Sequence, residues 1–306
     1  MRVFVAGATG VIGRRLLPAL RNAGHEPIGM TRSPEKAGAL RAQGMEAVVC
    51  DAYDAAGLTR VVADARAEAV IHELTDLPQD INMRRFEREV QSTGRLRREG
   101  TRNLIAAAQA AGVRRIVAES IAFIYAPEGG LIKDEDAPLA TATLPFAAEP
   151  IADLERQVRD AGGIVLRYGQ LYGPGTSFTK DGSWATSLRK RRLPIVGAGS
   201  GMFSFLHVDD AASATVAALG CSGPTTYNVV DDDPAPVSEW APVYARAIGA
   251  PMPWHAPAWL GRLAAGRLAV EMMNELRGAS NARIKRELGW QPRYASWREG
   301  FQTALG

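Results

Sequence analysis

The chain has 306 residues, which is enough for one large domain or for a core domain with a smaller lobe. Its hydrophobic content of 46% suits a folded globule, and its formal net charge of +3, with both signs interspersed, does not indicate a nucleic-acid partner. No apolar run reaches the roughly 18 residues that cross a bilayer, so we expect no membrane partner.

The N-terminal apolar run is interrupted by glycines and followed by Arg14 and Arg15, which is unlike a signal peptide. Two distant cysteines, Cys50 and Cys221, indicate a reducing, cytoplasmic location without a disulfide framework. The four histidines lack the spacing of metal ligands, so we predict no metal site.

The first thirteen residues, MRVFVAGATGVIG, carry the strongest motif. A short apolar run precedes Gly7, Gly10 and Gly13, and a helical pattern of leucines follows. In a strand–turn–helix context, Gly7 allows the tight turn, Gly10 lets the backbone approach a pyrophosphate, and Gly13 allows close helix–strand packing. The motif predicts dinucleotide binding, and the alternative is a tight turn without a ligand.

Strand and helix patterns then alternate through the first half of the chain. Apolar runs predict strands at 25–31, 47–50, 69–72, 115–119 and 164–167, and helical periodicity predicts helices at 34–43, 54–67 and 151–161. Such alternation predicts an α/β fold, a doubly wound parallel Rossmann sheet with helices on both faces.

The end of the second predicted strand favours NADP over NAD. An NAD-binding fold usually has an acidic residue here for the ribose 2′-hydroxyl, whereas this chain has Thr31 and Arg32. An arginine accommodates a 2′-phosphate, although Arg32 has the alternative of being a solvated loop residue. Asp51, after the third strand, is a candidate for the adenine amino group or, alternatively, belongs to a helix N-cap.

Seven segments together resemble the extended short-chain dehydrogenase/reductase family, in its epimerase/dehydratase-like branch. They are AGATGVIG (6–13), AVIHEL (69–74), GTRNLIAAAQAAGVRRIV (100–117), LRYGQLYGPG (166–175), FLHVDDAA (205–212), YNVVDDDP (227–234) and RELGWQPRYASWREGF (286–301). The resemblance implies a nucleotide-binding core at 1–172, to which 205–230 return, and a smaller C-terminal substrate lobe at 173–204 and 231–306. It also implies a homodimer joined through two long helices, which we place around 83–112 and 151–161.

The resemblance fails at the catalytic groups. The family uses a tyrosine as acid/base, a lysine four residues later, a serine or threonine, and often an asparagine. The corresponding positions of this sequence hold Phe146, Pro150, Ile121 and Arg97. No Tyr-x-x-x-Lys occurs anywhere in the chain, so we interpret the protein as an atypical member.

We predict that the cofactor is NADP, with NAD as the alternative. The candidate cofactor-binding residues are Gly7, Thr9, Gly10, Val11, Ile12, Gly13, Arg32, Asp51, Ala52, Leu74, Thr75, Tyr168 and Leu171. With the usual tyrosine absent, the candidates for a proton donor are Tyr125, Ser120 and Glu149, or a substrate-bound water.

The substrate is expected to be small and largely apolar or aromatic. Phe203 replaces the arginine with which sugar-nucleotide relatives bind a diphosphate, and aromatic and thioether side chains are frequent nearby: Trp184, Trp254, Trp259, Met272 and Met273. These residues are alternatively the core of the lobe. Three functions are compatible with the sequence: an NADP-dependent reductase, an isomerase, dehydratase or cyclase with a vestigial nucleotide, and a non-catalytic NADP sensor.

Overall fold

A computed structural model describes residues 1–78 and 83–305. Within these ranges the strands are β1 (Arg2–Ala6), β2 (Glu26–Thr31), β3 (Glu46–Val49), β4 (Ala69–His72), β5 (Arg115–Ile121), β6 (Ile132–Lys133), β7 (Ile164–Tyr168), β8 (Gln170–Tyr172), β9 (Ile195–Val196), β10 (Met202–Phe203), β11 (Phe205–His207), β12 (Thr225–Val229), β13 (Ala235–Pro236), β14 (His255–Ala256) and β15 (Gly278–Ala279).

The helices of the same ranges are α1 (Gly13–Asn22), α2 (Pro34–Ala42), α3 (Ala55–Asp64), α4 (Phe86–Glu89), α5 (Gln91–Arg95), α6 (Thr101–Ala110), α7 (Pro145–Asp160), α8 (Ser183–Arg189), α9 (Val208–Ala218), α10 (Val237–Ala247), α11 (Ala258–Ala265), α12 (Arg267–Glu275), α13 (Ala282–Leu288) and α14 (Trp297–Thr303). A 3₁₀ turn covers Met83–Arg85 and a π-helical segment covers Leu96–Gly100. None of these helices is long and apolar enough to cross a membrane.

Seven strands of the described chain form one sheet in the order β12-β7-β5-β4-β1-β2-β3. Every neighbouring pair in this sheet is parallel. The chain leaves β1 toward β2 and β3 on one side and returns to β4 on the other, so the strand order reverses between β1 and β4. This arrangement confirms the predicted α/β fold class, and open sheets of this kind bind ligands at the carboxyl ends of their strands where the order reverses.

Each face of the sheet has its own apolar core. Leu16, Leu17 and Leu20 of α1 are buried against one face, where α9 also packs. Leu58 of α3, Leu104 of α6 and Leu154 of α7 are buried against the opposite face. The buried leucines form one apolar stripe along each helix, and this is why their spacing in the sequence predicted helices.

A third core fills the C-terminal part of the chain and is largely aromatic. Phe203 packs against Trp240 with ring centroids 5.0 Å apart, and Trp184 stacks on Phe178 at 4.6 Å. Trp254 is 42% exposed, in contrast. Phe203 and Trp184 therefore belong to a packed core, as the alternative interpretation expected. The boundaries of the lobe, including its end at Gly306 outside the described residues, stay a prediction.

Two helical predictions were wrong in their extent. The expected continuous helix at 83–112 is a series of short segments, because Val90 (φ −94°, ψ −2°) ends α4 and a π-helical segment lies between α5 and α6. The helix expected at 151–161 begins earlier, at Pro145, since proline suits the first position of a helix. The homodimer that was to use these helices stays a prediction.

Candidate functional site

The glycine loop connects β1 to α1 at the point where the strand order reverses. Gly7 has φ +93°, and a Cβ atom there would lie 2.3 Å from the carbonyl oxygen of Glu73. A Cβ on Gly13 would lie 2.3 Å from the carbonyl oxygen of Gly7, whereas one on Gly10 would meet only that oxygen, at 3.2 Å. Packing within the protein thus accounts for Gly7 and Gly13. Gly10 faces open space beside the N-terminus of α1, which fits a pyrophosphate.

Other residues of the loop are fixed by local contacts. The hydroxyl groups of Thr9 and Thr31 lie 3.4 Å apart, which links the loop to the end of β2. Ile12 is buried, whereas Val11 is 37% exposed. The loop is therefore anchored on one side and open on the other, as a surface for a bound nucleotide requires.

Arg32 directly follows β2, as the sequence analysis required for a 2′-phosphate contact. Its guanidinium Nη2 lies 3.0 Å from Oδ1 of Asp76, and its side chain is 70% exposed. Ser33, the next residue, caps α2 by accepting a hydrogen bond from the backbone of Lys36. Arg32 is thus a surface residue with one acidic partner, and exposed pairs of this kind stabilise a protein by only about 0–1 kcal/mol.

Asp51 does not cap a helix, because the N-cap of α3 is Asp54, whose side chain accepts a hydrogen bond from the backbone of Gly57. Asp51 instead is exposed and accepts from the backbone of Tyr53 at 2.9 Å, which forms a local turn. Ala52 is buried, and its carbonyl accepts from Asn103 at 3.0 Å. The turn leaves a carboxylate oxygen of Asp51 in solvent, where an adenine amino group could donate to it.

The end of β4 lies next to the glycine loop. The backbone of Glu73 donates to the carbonyl of Ala6 at 2.8 Å, and the backbone of Leu74 donates to Nδ1 of His72 at 3.2 Å. Leu74 is half-buried, and Thr75 is exposed. Leu171 lies further along the chain in β8 and is also half-buried. The structure therefore brings Leu74 and Thr75 to the same edge of the sheet as Gly7.

Tyr168 is buried beneath this edge, and its hydroxyl has two partners. It donates to Oε1 of Glu73 at 2.9 Å and lies 2.6 Å from the hydroxyl of Thr215. Burial, and next the charge of Glu73, raise the pKa of Tyr168 well above its ordinary value. Tyr168 thus acts as a neutral hydrogen-bonding group at physiological pH.

Two buried carboxyl groups, Glu73 and Glu119, adjoin this tyrosine. Burial and the proximity of Glu119 raise the pKa of Glu73 well above its ordinary value. Burial also raises the pKa of Glu119, although the charge of Arg97 opposes the shift. Burial and Arg97 lower the pKa of His72 to about 4, so this imidazole is neutral at pH 7. Neither glutamate was predicted from the sequence, where the available signal was an acidic residue at the end of an otherwise apolar strand.

Arg97 lies in the π-helical segment, and such segments frequently occur at functional sites. Its Nη2 lies 3.4 Å from Oε1 of Glu119, and its side chain is 9% exposed. Nε of Arg97 has no hydrogen-bond partner within the described residues. This side chain therefore places a buried guanidinium with a free donor at the carboxyl edge of β5.

Ser120 points to the opposite face of β5 from Glu119. Its hydroxyl donates to Oε1 of Glu155 at 2.7 Å, and Glu155 also accepts two hydrogen bonds of 2.7 Å from Arg167. Burial opposes the ionisation of Glu155, but the hydrogen bonds and charge of Arg167 outweigh it and hold the pKa of this carboxyl below its usual range. The hydroxyl of Ser120 is therefore committed to a buried ion pair.

Tyr125 belongs to the same network. Its hydroxyl donates to Oδ1 of Asn228 at 2.5 Å and accepts from Nη1 of Arg167 at 2.9 Å. Tyr125 is only 5% exposed, and burial raises its pKa to about 12 despite the charge of Arg167. The structure links Tyr125 and Ser120 through the Arg167–Glu155 pair, but both hydroxyl groups donate to protein oxygens.

The third candidate proton donor lies elsewhere. Glu149 is an exposed residue of α7, with its carboxylate 3.6 Å from the guanidinium of Arg98. Phe146, in the first turn of the same helix, makes an edge-to-face contact with Phe86 at 6.0 Å between ring centroids. Pro150 is buried, and its ring lies 3.2 Å from where a Cβ on Gly94 would stand. Helix α7 therefore has apolar side chains, Phe146 and Pro150, at the two positions that the family resemblance assigns to tyrosine and lysine.

Comparison with known proteins identifies a family model and a full-length relative. The NAD dependent epimerase/dehydratase family matches residues 3–229. A 3-diazoavenalumate denitrifying reductase from a Streptomyces species is 45% identical over 309 residues, which cover 98% of this chain and 99% of that protein.

Solved structures share the fold at low sequence identity. A UDP-glucose 4-epimerase from Thermotoga maritima, solved with UDP-glucose, superposes with a TM-score of 0.80 at 17% identity and covers 100% of this chain and 97% of its own. A human epimerase family protein, solved with NADPH, has a TM-score of 0.74 at 21% identity and covers 100% of this chain and 99% of its own.

Proposed function

The chain belongs to the NAD dependent epimerase/dehydratase family, and we propose that it is an NADPH-dependent reductase that replaces the diazo group of a small aromatic compound with hydrogen. The family and a relative named as a reductase support an oxidoreductase. The diazo substrate is taken from the name of that relative, which aligns with this chain over nearly its whole length.

The reaction balances without a proton. A bound reduced nicotinamide would supply a hydride to the aryl carbon of a diazonium cation. The carbon–hydrogen bond forms with the electron pair of the hydride, and the carbon–nitrogen bond breaks with its pair leaving on dinitrogen. The nicotinamide would thereby be oxidised and the arene reduced, with no proton taken up or released. The protein must bind and orient the two reactants and exclude water.

The single observation that carries this proposal is the surface of α7. Phe146 and Pro150 of α7 stand at the positions that the sequence resemblance assigns to tyrosine and lysine, and the hydroxyls of Ser120 and Tyr125 donate to buried protein oxygens. A carbonyl reductase needs a group that protonates the developing alkoxide. Loss of the phenol–ammonium pair is compatible with a reaction in which no oxygen is protonated.

The glycine loop and Arg32 support the cofactor assignment. Gly10 and the N-terminus of α1 would hold the pyrophosphate, and Arg32 would bind the 2′-phosphate once it releases Asp76. Asp51 would accept from the adenine amino group, and Leu74 and Thr75 would contact the nucleotide at the end of β4. A non-catalytic NADP sensor would need the same nucleotide-binding residues, but it would not need an adjoining cavity for a second ligand.

Sugar-nucleotide epimerisation is the less favoured function. That reaction removes a hydride from an alcohol and returns it, so the alcohol must lose its proton to a base. Tyr125, buried with a pKa raised to about 12, is a weak candidate for such a base. The aromatic core around Phe203 likewise leaves no arginine at the position that was expected to bind a diphosphate.

The test uses 4-methylbenzenediazonium with NADPH that carries deuterium at both hydrogen positions of C4. We expect enzyme-dependent formation of toluene with one deuterium at the former diazo carbon, together with NADP⁺ and dinitrogen in equal amounts. Reactions without enzyme, and with Gly10→Val, provide the background. A product that retains nitrogen, or arene without deuterium, contradicts the proposal.

A further inference from the structure

A cavity of about 760 Å³ lies between segment 83–91, the start of α7 and the turn that joins α11 to α12. This volume is within the range of about 300–1,000 Å³ that is usual for small-molecule sites. Phe146 forms part of its wall, so the cavity opens beside the α7 position where the family was expected to have its tyrosine. A ligand held here lies next to that position.

Positive charge predominates in the lining, which contains Arg84, Arg85, Arg88 and Arg267 but only Glu87 and Glu271 as acids. Arg84 donates to the carbonyl oxygen of Leu263, and Arg267 is paired with Glu271.

Arg85 and Arg88 are exposed, and neither has a hydrogen-bond or ion-pair partner within residues 1–78 and 83–305. Arg85 ends the 3₁₀ turn and Arg88 lies in α4, and both side chains line this same cavity. Their guanidinium groups therefore remain available to an anion.

Besides the polar Gln91 and Thr143, the lining has an apolar part. Phe86 and Phe146 meet edge to face with ring centroids 6.0 Å apart, and Leu144 and Leu268 also contribute. Edge-to-face rings of this kind can accept a third aromatic ring in the same geometry. The cavity thus combines an aromatic wall with two uncommitted cations.

We propose that Arg85 and Arg88 bind the carboxylate of an aromatic substrate whose ring packs against Phe86 and Phe146. The proposal rests on the proposed function and adds an anionic group to its substrate. A guanidinium binds a carboxylate through two parallel hydrogen bonds, so the two arginines fix the orientation of the ring as well as its charge. The same geometry holds the opposite end of the substrate away from the arginines, which suits a cationic diazo group.

The experiment is calorimetric titration of the full chain, saturated with NADP⁺, using cinnamate and its neutral analogue cinnamamide. Arg85→Gln and Arg88→Gln should each weaken cinnamate binding by at least about tenfold, because a charge-assisted hydrogen bond is lost. Cinnamamide and NADP⁺ should bind these variants as they bind the wild type. Arg262→Gln, an exposed arginine of α11 outside the cavity, is the matched control and should leave all three affinities unchanged.

Equal affinity of the wild type for cinnamate and cinnamamide overturns the proposal, as does cinnamate binding that both arginine variants retain. Binding of UDP-glucose that depends on Arg85 and Arg88 also overturns it, since the arginines would then recognise a diphosphate. Turnover of 4-methylbenzenediazonium, which has no carboxylate, is measured separately. Cinnamate recognition without diazonium turnover contradicts the proposed function, whereas diazonium turnover with no role for either arginine contradicts only this inference.

Discussion

Arg32 and Asp76 form an ion pair of 3.0 Å between segments that follow two different strands, β2 and β4. The pair lies at the carboxyl edge of the sheet, and both side chains are at least 36% exposed. A 2′-phosphate and the carboxylate of Asp76 would compete for one guanidinium.

This competition leads to a prediction about nucleotide selectivity. Arg32→Ala should weaken NADPH binding by about tenfold or more and leave NADH binding unchanged, because only the phosphate contact is lost. Asp76→Asn should strengthen NADPH binding, since it frees Arg32. Calorimetry with both nucleotides measures these affinities, and equal affinities of the wild type for NADPH and NADH would show that Arg32 does not select the cofactor.

The glycines of the loop should respond differently to substitution. Gly10→Val should abolish nucleotide binding, because the new side chain would occupy the space expected for the pyrophosphate. The protein should still fold, because a Cβ at this position meets only the carbonyl oxygen of Gly7, at 3.2 Å. Gly13→Ala should instead destabilise the fold, since its Cβ would overlap that same carbonyl at 2.3 Å. Circular dichroism and urea unfolding separate the two effects. Nucleotide binding by Gly10→Val at wild-type affinity would place the site elsewhere.

Tyr125→Phe distinguishes a structural tyrosine from a proton donor. We expect turnover within a fewfold of wild type, because the hydroxyl is bonded to Asn228 and Arg167. Stability should fall by about 1–3 kcal/mol, since Oδ1 of buried Asn228 loses its donor. Steady-state kinetics and urea unfolding measure the two quantities. A fall in turnover of about 10²-fold or more would restore Tyr125 as the general acid.

The Arg167–Glu155 pair should govern stability in acid. The folded-state pKa of Glu155 lies below the ordinary value of 4.5, so the contribution of the pair is complete above that pH. It declines as the pH falls further, because the unfolded chain binds the proton first. Urea unfolding between pH 7 and pH 3 should show this loss.

Arg167→Met should cost about 3–5 kcal/mol at pH 7, because it leaves a buried carboxylate without its main partner. Burial then raises the pKa of Glu155, and acid should stabilise this variant where it destabilises the wild type. Arg159→Met is the matched control: Arg159 also contacts Glu155, at 3.3 Å, but is 40% exposed, so its loss should cost less than about 1 kcal/mol. Equal losses of unfolding free energy in Arg167→Met and Arg159→Met would contradict the conclusion that Arg167 is the main partner of Glu155.

The sequence by itself determined the parallel sheet and the position of the glycine loop. Apolar runs such as Val3–Val5 and the leucine stripe of α1 follow local periodicity, which depends only on neighbouring residues. The spacing of Gly7, Gly10 and Gly13 is equally local, and the structure gives each glycine a distinct steric reason. Arg32 could be placed for the same reason, since it directly follows a strand whose end was predictable.

Only the tertiary structure decided which polar groups are available for chemistry. No hydrogen-bond partner for Ser120 or Tyr125 was evident from the sequence. In the structure the hydroxyl of Ser120 donates to Glu155, 35 residues away, and the hydroxyl of Tyr125 donates to Asn228, 103 residues away. Glu73 and Arg97 became part of the site for the complementary reason, because folding buries them at the carboxyl edge of the sheet. Hydrogen-bond partners and burial arise from long-range packing, and no local pattern encodes them.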